Sequence, residues 1–352
     1  MDVVAEPKPN PFTWLLTLIM ALDFHFIVTF FYNQFRRLPY PKDDFTGKTI
    51  IITGSNVGLG FEAARHFVRL NAAKVILACR STERGEKAKA DISRSVARAH
   101  SVVEVWPLDL ASFDSVREFC KRADKLDRLD VVVENASVAM VSPQGTLAEG
   151  YERTITVNVL STFLMALLLL PTLKKTASKV NTQTRLVIVS SDAHFMTSFN
   201  EKSSPKILDA FKSTTVPPDR YQTSKLLQIF IVRQLAQDMA ASTSNSKGPV
   251  ILNTLTPGFC RTALFRDNKF PASIFIKITS TLLGRSAEMG SRELVHAAAA
   301  GPETHGKWLD SHEIREPSAF VRSEEGQMLQ TRVYEELMGI LDHVEPGIIK
   351  NI

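Results

Sequence analysis

From residue 48 onward, short apolar runs alternate with longer segments whose apolar positions recur every three or four residues. The runs 48–53 (KTIIIT), 74–79 (KVILAC), 102–107, 129–133 (LDVVV), 185–190 (RLVIVS) and 250–255 read as six strands. Segments 61–70, 85–100, 113–126, 158–170 and 221–239 read as helices between them. Strands made almost wholly of Val, Ile and Leu, with no polar alternation, are buried on both faces. Helical crossovers between them fit parallel pairing. The expected fold is α/β: one doubly wound parallel sheet of Rossmann type, with ligands beyond the carboxyl ends of its strands.

Ahead of this domain, residues 12–32 form an apolar stretch about as long as a bilayer span. Trp14 and Tyr32 sit near its ends, where amphipathic rings favour the membrane interface. Arg36 and Arg37 follow it against a lone Lys8 before it, which turns the main domain toward the cytosol, as on the endoplasmic reticulum. Asp23 and His25 interrupt the run, and an intramembrane Asp costs about 2.5–3.5 kcal/mol. An interfacial helix, or one packed on a cytoplasmic domain, therefore stays open. No basic leader or small-residue cleavage site marks a signal peptide. The expected division is 1–44 as hydrophobic anchor and linker, stiffened by Pro39 and Pro41, and 45–352 as the nucleotide-binding domain.

Composition adds mainly exclusions. The 352 residues are 44% hydrophobic and 22% charged, with a net charge of +5 dispersed among acids, so no basic stripe points to nucleic acid. Cys79, Cys120 and Cys260 lie far apart without metal-ligand spacing, which argues against a disulfide framework or a metal site.

The candidate chemistry starts at residues 53–60, TGSNVGLG, between the first strand and the first helix. Gly54 permits a tight turn, Gly58 a close backbone approach to a pyrophosphate, and Gly60 tight packing of helix on strand. Ser55, Asn56 and Leu59 complete the loop. The helix start offers N–H groups and a positive dipole end to phosphates. No GK[ST] follows, which disfavours a triphosphatase loop. Further on, Tyr221 and Lys225 in YQTSK lie one helical turn apart on one face. An ammonium beside a phenol favours the phenolate and lowers its pKa from about 10.

The TGxxxGxG loop resembles that of the short-chain dehydrogenases/reductases. The ACRS and ERGEKA segments, with residues 306–309, 316–318 and 334–337, resemble their retinol-dehydrogenase-like branch. The resemblance implies that Tyr221 exchanges a proton with substrate and that Lys225 also holds the nicotinamide ribose. It implies a substrate-binding hydroxyl at Ser191, with Ser190 an open alternative, and a water-holding role for Asn158, which also reads as a helix cap. It places Asp109 and Leu110 near adenine, with Asp109 otherwise a helix cap, and Asn135 and Ala136 near a ribose. Glu134 and Ser137 depart from the family's Asn-Asn-Ala-Gly. Pro257, Gly258, Cys260 and Thr262 would cover the cofactor after the sixth strand, and the apolar segment 263–284 would begin a substrate lid and C-terminal elements spanning 263–330, with an ordinary core or membrane-facing helix equally open for 263–284.

The second strand ends at Arg80 with no acid to take a ribose 2′-hydroxyl, and its guanidinium suits a 2′-phosphate, so NADP(H) is expected. The expected substrate is an apolar alcohol, ketone or aldehyde of retinoid-, steroid- or polyketide-like character. Homo-oligomerisation is left open. His194 reads as a local hydrogen-bonding residue rather than a proton shuttle, and 200–218 as an inserted polar loop. The competing readings are a catalytically silent NADP(H)-binding redox sensor and a nucleotide-sugar epimerase. The second lacks its usual TGxxGxxG loop and large C-terminal domain.

Overall fold

The computed structural model describes residues 24–139, 144–242, 248–262, 264 and 279–352. Strands β1 (Thr49–Thr53), β2 (Lys74–Cys79), β3 (Val103–Pro107), β4 (Val131–Glu134), β5 (Thr184–Val189), β6 (Val250–Thr256), β7 (Trp308–Asp310) and β8 (Glu313–Arg315) form one sheet. Their spatial order is β8-β7-β6-β5-β4-β1-β2-β3. All pairings are parallel except the terminal β7–β8 hairpin. The central β1 pairs with β2 on one side and β4 on the other, and all five of its residues are buried. The chain therefore reverses its direction of winding between β1 and β4, which opens a crevice at the carboxyl edge.

Helices cover both faces. On one lie α2 (Gly58–Arg69), α3 (Thr82–Ser95) and α7 (Ala287–Ala299), around a core that includes Phe67, Ile92 and Leu294. On the other lie α4 (Phe113–Ala123), α5 (Thr162–Val180), α6 (Arg220–Ala241) and α8 (Glu324–Val344), around Phe119, Phe163, Phe230 and Leu337. α6 lies between the sheet and α8 and is buried on nearly every side, so its sequence shows no polar face.

Several boundaries differ from the expected ones for identifiable reasons. α3 starts at Thr82, where Ser81 caps the Arg84 N–H, so Gly85 lies inside the helix. A Cβ on Gly85 would approach Val105 Cγ1 to 2.4 Å, so the glycine permits close packing rather than starting the element. α5 runs through Pro171 to Val180 instead of stopping before it. Proline cannot donate to the Leu167 carbonyl. That carbonyl instead accepts from Asn351 Nδ2 at 3.1 Å, so the chain end repairs the missing bond. Together with the turns before it, this 28-residue segment is apolar enough to cross a membrane, yet 89% of its apolar window is buried as core. The expected polar loop at 200–218 is instead two short 3₁₀ turns, anchored by buried Ile207, Leu208 and Phe211. The apolar spacing there is too irregular to signal an element.

The N-terminal helix α1 (Phe24–Phe35) extends beyond the expected apolar stretch. Residues 12–23 of that stretch lie outside the described residues. The following segment is packed, not free: Leu38 is buried, and Arg69 and Arg292 donate to the carbonyls of Pro41 and Leu38.

Candidate active site

Thr53 ends β1, and its Oγ1 accepts the N–H groups of Asn135 and Ala136, each at 2.9 Å. Asn135 Nδ2 donates back to Thr53 O at 2.8 Å. The end of β4 is thereby fastened to the glycine turn. Gly54 and Gly58 have φ of +65° and +66°, a region that side chains rarely enter. A Cβ on Gly60 would lie 2.7 Å from Asn135 Nδ2 and 2.9 Å from Gly54 O. Ser55 Oγ donates to Ile52 O, so its hydroxyl braces the turn. Val57 precedes α2 and supplies no side-chain cap. A cradle without side chains, at an uncapped helix start, fits a dinucleotide pyrophosphate. Asn56 and Leu59 are half-buried beside it, and the Thr262 side chain lies 3.7 Å from where a Gly58 Cβ would stand.

At the neighbouring strand ends, Arg80 is exposed after β2, while Leu110 is buried in the core. Asp109 Oδ1 accepts from Ala111 N–H at 3.0 Å, and α4 is capped by Ser112 rather than by Asp109. Of the two departures in 134–137, Glu134 is buried and Ser137 half-buried with its hydroxyl oxygen turned inward. Neither carboxylate oxygen of Glu134 nor the Ser137 hydroxyl has a hydrogen-bond partner among the described residues, and burial pushes the Glu134 carboxyl well above the usual range.

The remaining candidates converge from three elements. Tyr221 lies in the first turn of α6, beside Ser191 just beyond β5, and the Ser191 hydroxyl accepts from Ala193 N–H at 3.1 Å. Ser190 faces elsewhere: its Oγ donates to Lys225 O at 3.0 Å, so its hydroxyl holds the frame. Lys225 Nζ stands 5.5 Å from the Tyr221 ring centroid and donates to Val189 O at 2.9 Å and Gln228 Oε1 at 3.1 Å. Gln228 Nε2 in turn donates to Asn158 O at 2.7 Å. Asn158 does not cap a helix. It sits in a π-helical turn, Thr156–Ser161, its side chain bonded to both backbone groups of Val138 and to Ser224 Oγ. Such turns widen the helix and free backbone groups for other partners.

Burial governs the ionisation. It pushes Lys225 down to about 7, and it pushes the Tyr221 phenol up, with Asp192 and Cys260 adding and Ser191 opposing. The downward shift expected from the lysine is not seen: desolvation dominates, and the phenol stays protonated. His194 is neutral: burial holds it near 4, its Nε2 accepts from Ser318 N–H at 3.1 Å, and its Nδ1 therefore donates to Ser191 O at 2.9 Å. It ties the β5 end to the C-terminal segment.

Beyond β6, Thr256 Oγ1 accepts from Gly258 N–H and donates to Asp192 Oδ2 at 3.1 Å. Pro257 is buried and Gly258 takes φ +74°. Cys260 Sγ donates to Pro257 O at 3.3 Å, and burial pushes its thiol up to about 12. Of the expected lid, residues 263 and 265–278 lie outside the described residues. Among the described residues no cluster suits a metal ion, and the three cysteines are unpaired. Sequence reasoning missed Thr53, Thr256 and Gln228. Only Gln228 carried a signal, lying three residues beyond Lys225 on the same helical face.

Two outcomes test this geometry. Gly60→Ala forces Asn135 off the turn, and NADPH affinity measured by fluorescence titration should fall at least ~10-fold while the fold persists. Lys225→Met removes an amine whose folded pKa, about 7, lies below the unfolded 10.5. The unfolded state then binds the extra proton between those values, so wild-type stability falls as pH drops through that window. The unfolding free energy of the variant relative to wild type, from denaturant titrations, should rise from pH 10 to pH 7 and level off below, a change on the order of a few kcal/mol.

The short chain dehydrogenase family model matches residues 48–203. The chain is 44% identical over 330 residues to the short chain dehydrogenase/reductase dmxR8 of Cryptosporiopsis sp. (strain 8999), covering 92% of this chain and 99% of that one. It is 45% identical over 289 residues to the short chain dehydrogenase atnD of Emericella nidulans, covering 81% and 90%. A solved structure of an uncharacterised protein from Mycobacterium paratuberculosis superimposes with a TM-score of 0.61 at 27% identity, covering 87% of this chain and 96% of that one. With its glycine cradle and its Tyr-Lys helix on a doubly wound sheet, the chain belongs to the short-chain dehydrogenase/reductase family, oxidoreductases that use a nicotinamide dinucleotide.

Proposed function

We propose that the protein is an NADP(H)-dependent reductase or dehydrogenase of apolar carbonyl or alcohol substrates, with Tyr221 as the proton donor or acceptor. The observation that carries this reading is the convergence of the Tyr221 phenol with Ser191 at the end of β5 and with Lys225, whose Nζ stands 5.5 Å from the Tyr221 ring centroid. The residues that would hold the cofactor are the 54–60 turn, Asn135, Ala136, Lys225 and the loop at Pro257, Gly258, Cys260 and Thr262. Arg80, exposed at the end of β2, would pair with a 2′-phosphate. Bound NADP(H) supplies or accepts the hydride.

The chain's own residues handle the proton. The Ser191 hydroxyl orients the substrate oxygen and stabilises charge that develops there. Tyr221, kept neutral by burial, is ready to donate to that oxygen, which suits the reductive direction. Lys225, held near neutrality, can gain or lose a proton at operating pH, and its bond to Gln228 ties it to the Asn158 carbonyl.

The proposal extends to membrane association with the catalytic domain on the cytosolic side. Val28, Phe31, Tyr32 and Phe35 expose 42–67% of their surface on α1, followed by Arg36 and Arg37. Exposed Leu282 and Ile314 adjoin Leu283 and Glu313, which are bonded to Gln34 of that helix and to Arg36 just beyond it. An apolar patch with a basic border suits a lipid surface, which would also concentrate an apolar substrate.

Tyr221→Phe should leave NADPH binding within about twofold and lower kcat by ~10²–10⁴ on a panel of apolar ketones and aldehydes. Near-wild-type turnover would remove Tyr221 from the mechanism. Arg80→Ala should raise the KM for NADPH at least ~10-fold and leave that for NADH unchanged. Equal kcat/KM with both cofactors, unaltered by that change, would defeat the NADP(H) assignment.

A further inference from the structure

A buried polar contact outside the catalytic group joins α1 to the loop after β6. Gln34, in the last turn of α1, is only 4% exposed. Its Nε2 donates to Phe259 O and to Leu283 O, each at 2.7 Å, and its Oε1 accepts from Phe259 N–H at 3.0 Å. One side-chain amide thus pairs with Phe259 as a neighbouring strand would, and also holds the chain where it returns at Leu283. The two stretches are paired with each other: Arg285 N–H donates to Phe259 O and Arg261 N–H to Arg285 O, at 2.8 and 2.9 Å. The buried Arg285 guanidinium reinforces the contact. Its Nη1 donates to Pro257 O at 3.3 Å, its Nε to Gln34 O at 3.2 Å, and its Nη2 to Asn33 O. Asn33 Nδ2 then donates to Asp310 Oδ2 at the end of β7.

The clamped loop borders the candidate site. Cys260 Sγ and Leu59 of the glycine turn both pack against Gly290, and Thr262 lies over Gly58. A Cβ on Gly258 would stand 3.0 Å from Gln34 Oε1, so helix and loop are in close contact. Pro257 has no N–H to donate and Gly258 imposes no conformation of its own, so the Phe259 backbone groups gain their side-chain partner from α1. Without Gln34, the Phe259 N–H and the Leu283 carbonyl would lose their side-chain partner in a part-buried setting, and the loop would shift toward water.

We propose that Gln34 is a positioning residue for the loop at residues 257–262, which makes the N-terminal helix part of the cofactor site as well as an attachment element. The link to cofactor affinity rests on the NADP(H) reading above; the clamp itself does not.

The test uses the full chain with Gln34→Ala, Gln34→Glu and, as a control, Arg36→Ala, which removes an exposed pair with Glu313 on the same helix end. Glu keeps the acceptor for Phe259 N–H but cannot donate to the two carbonyls, and it serves as the reporter if the Ala variant fails to fold. Two quantities are read: hydrogen exchange at residues 259–262 without cofactor, and NADPH affinity by fluorescence. Both Gln34 variants should exchange faster there and bind NADPH ~10-fold more weakly, with kcat at saturating cofactor changed less than kcat/KM, while Arg36→Ala matches wild type. A lowered melting temperature with unchanged NADPH affinity would reduce Gln34 to a structural residue and overturn the proposal. So would unchanged exchange at 259–262. If the wild type binds no NADPH, the functional reading fails, and exchange alone still decides whether Gln34 holds the loop.

Discussion

The site depends on one junction, where the ends of β1 and β4 are fastened side by side by Thr53 and Asn135. The threonine hydroxyl takes two successive backbone N–H groups, and the asparagine amide returns a bond to the threonine carbonyl. This closes the floor of the crevice that the reversal of winding opens. It also sets the spacing that only glycine tolerates at positions 54 and 60. The helix start, the adjoining strand ends and the loop over the turn all take their positions from this point. The same junction tolerates Glu134 and Ser137 on either side, because Asn135 and Ala136 make the contacts through a backbone amide each and a single side chain.

Around the catalytic group, solvation outweighs charge pairing. A lysine one turn from a tyrosine suggests an ion held against a phenolate. In the fold both groups are withdrawn from water, and the cost of that withdrawal favours the neutral form of each. The lysine spends its hydrogens on a strand carbonyl and on Gln228, not on the phenol. Ser190 and Ser191 divide their labour: adjacent hydroxyls take different partners, Ser190 the Lys225 carbonyl and Ser191 the Ala193 N–H beside the Tyr221 phenol.

What the sequence revealed follows from range. The six central strands and the glycine turn are local patterns, and the structure reproduces them within a residue or two. The Tyr-Lys pair was legible because its spacing matches a helical turn. β7 and β8 were not, since three-residue strands carry no periodicity and depend on β6 for their definition. The passage of α5 through Pro171 was hidden because its compensation comes from Asn351, 184 positions away. Gln34 gave no signal for the same reason. Its partners are remote backbone atoms, and a backbone atom leaves no mark in composition or spacing.

The docking of α1 has a consequence for traffic through the site. This helix meets the sheet at the carboxyl ends of β6 and β7, the same edge that carries the crevice. Its described turns, Phe24–Phe35, cover about 18 Å, comparable to one leaflet of a bilayer, so whatever grips them also fixes the distance to the crevice mouth. A sparingly soluble molecule arriving from that side would search in two dimensions, and its supply would depend on its density in the surface layer rather than on its concentration in bulk water.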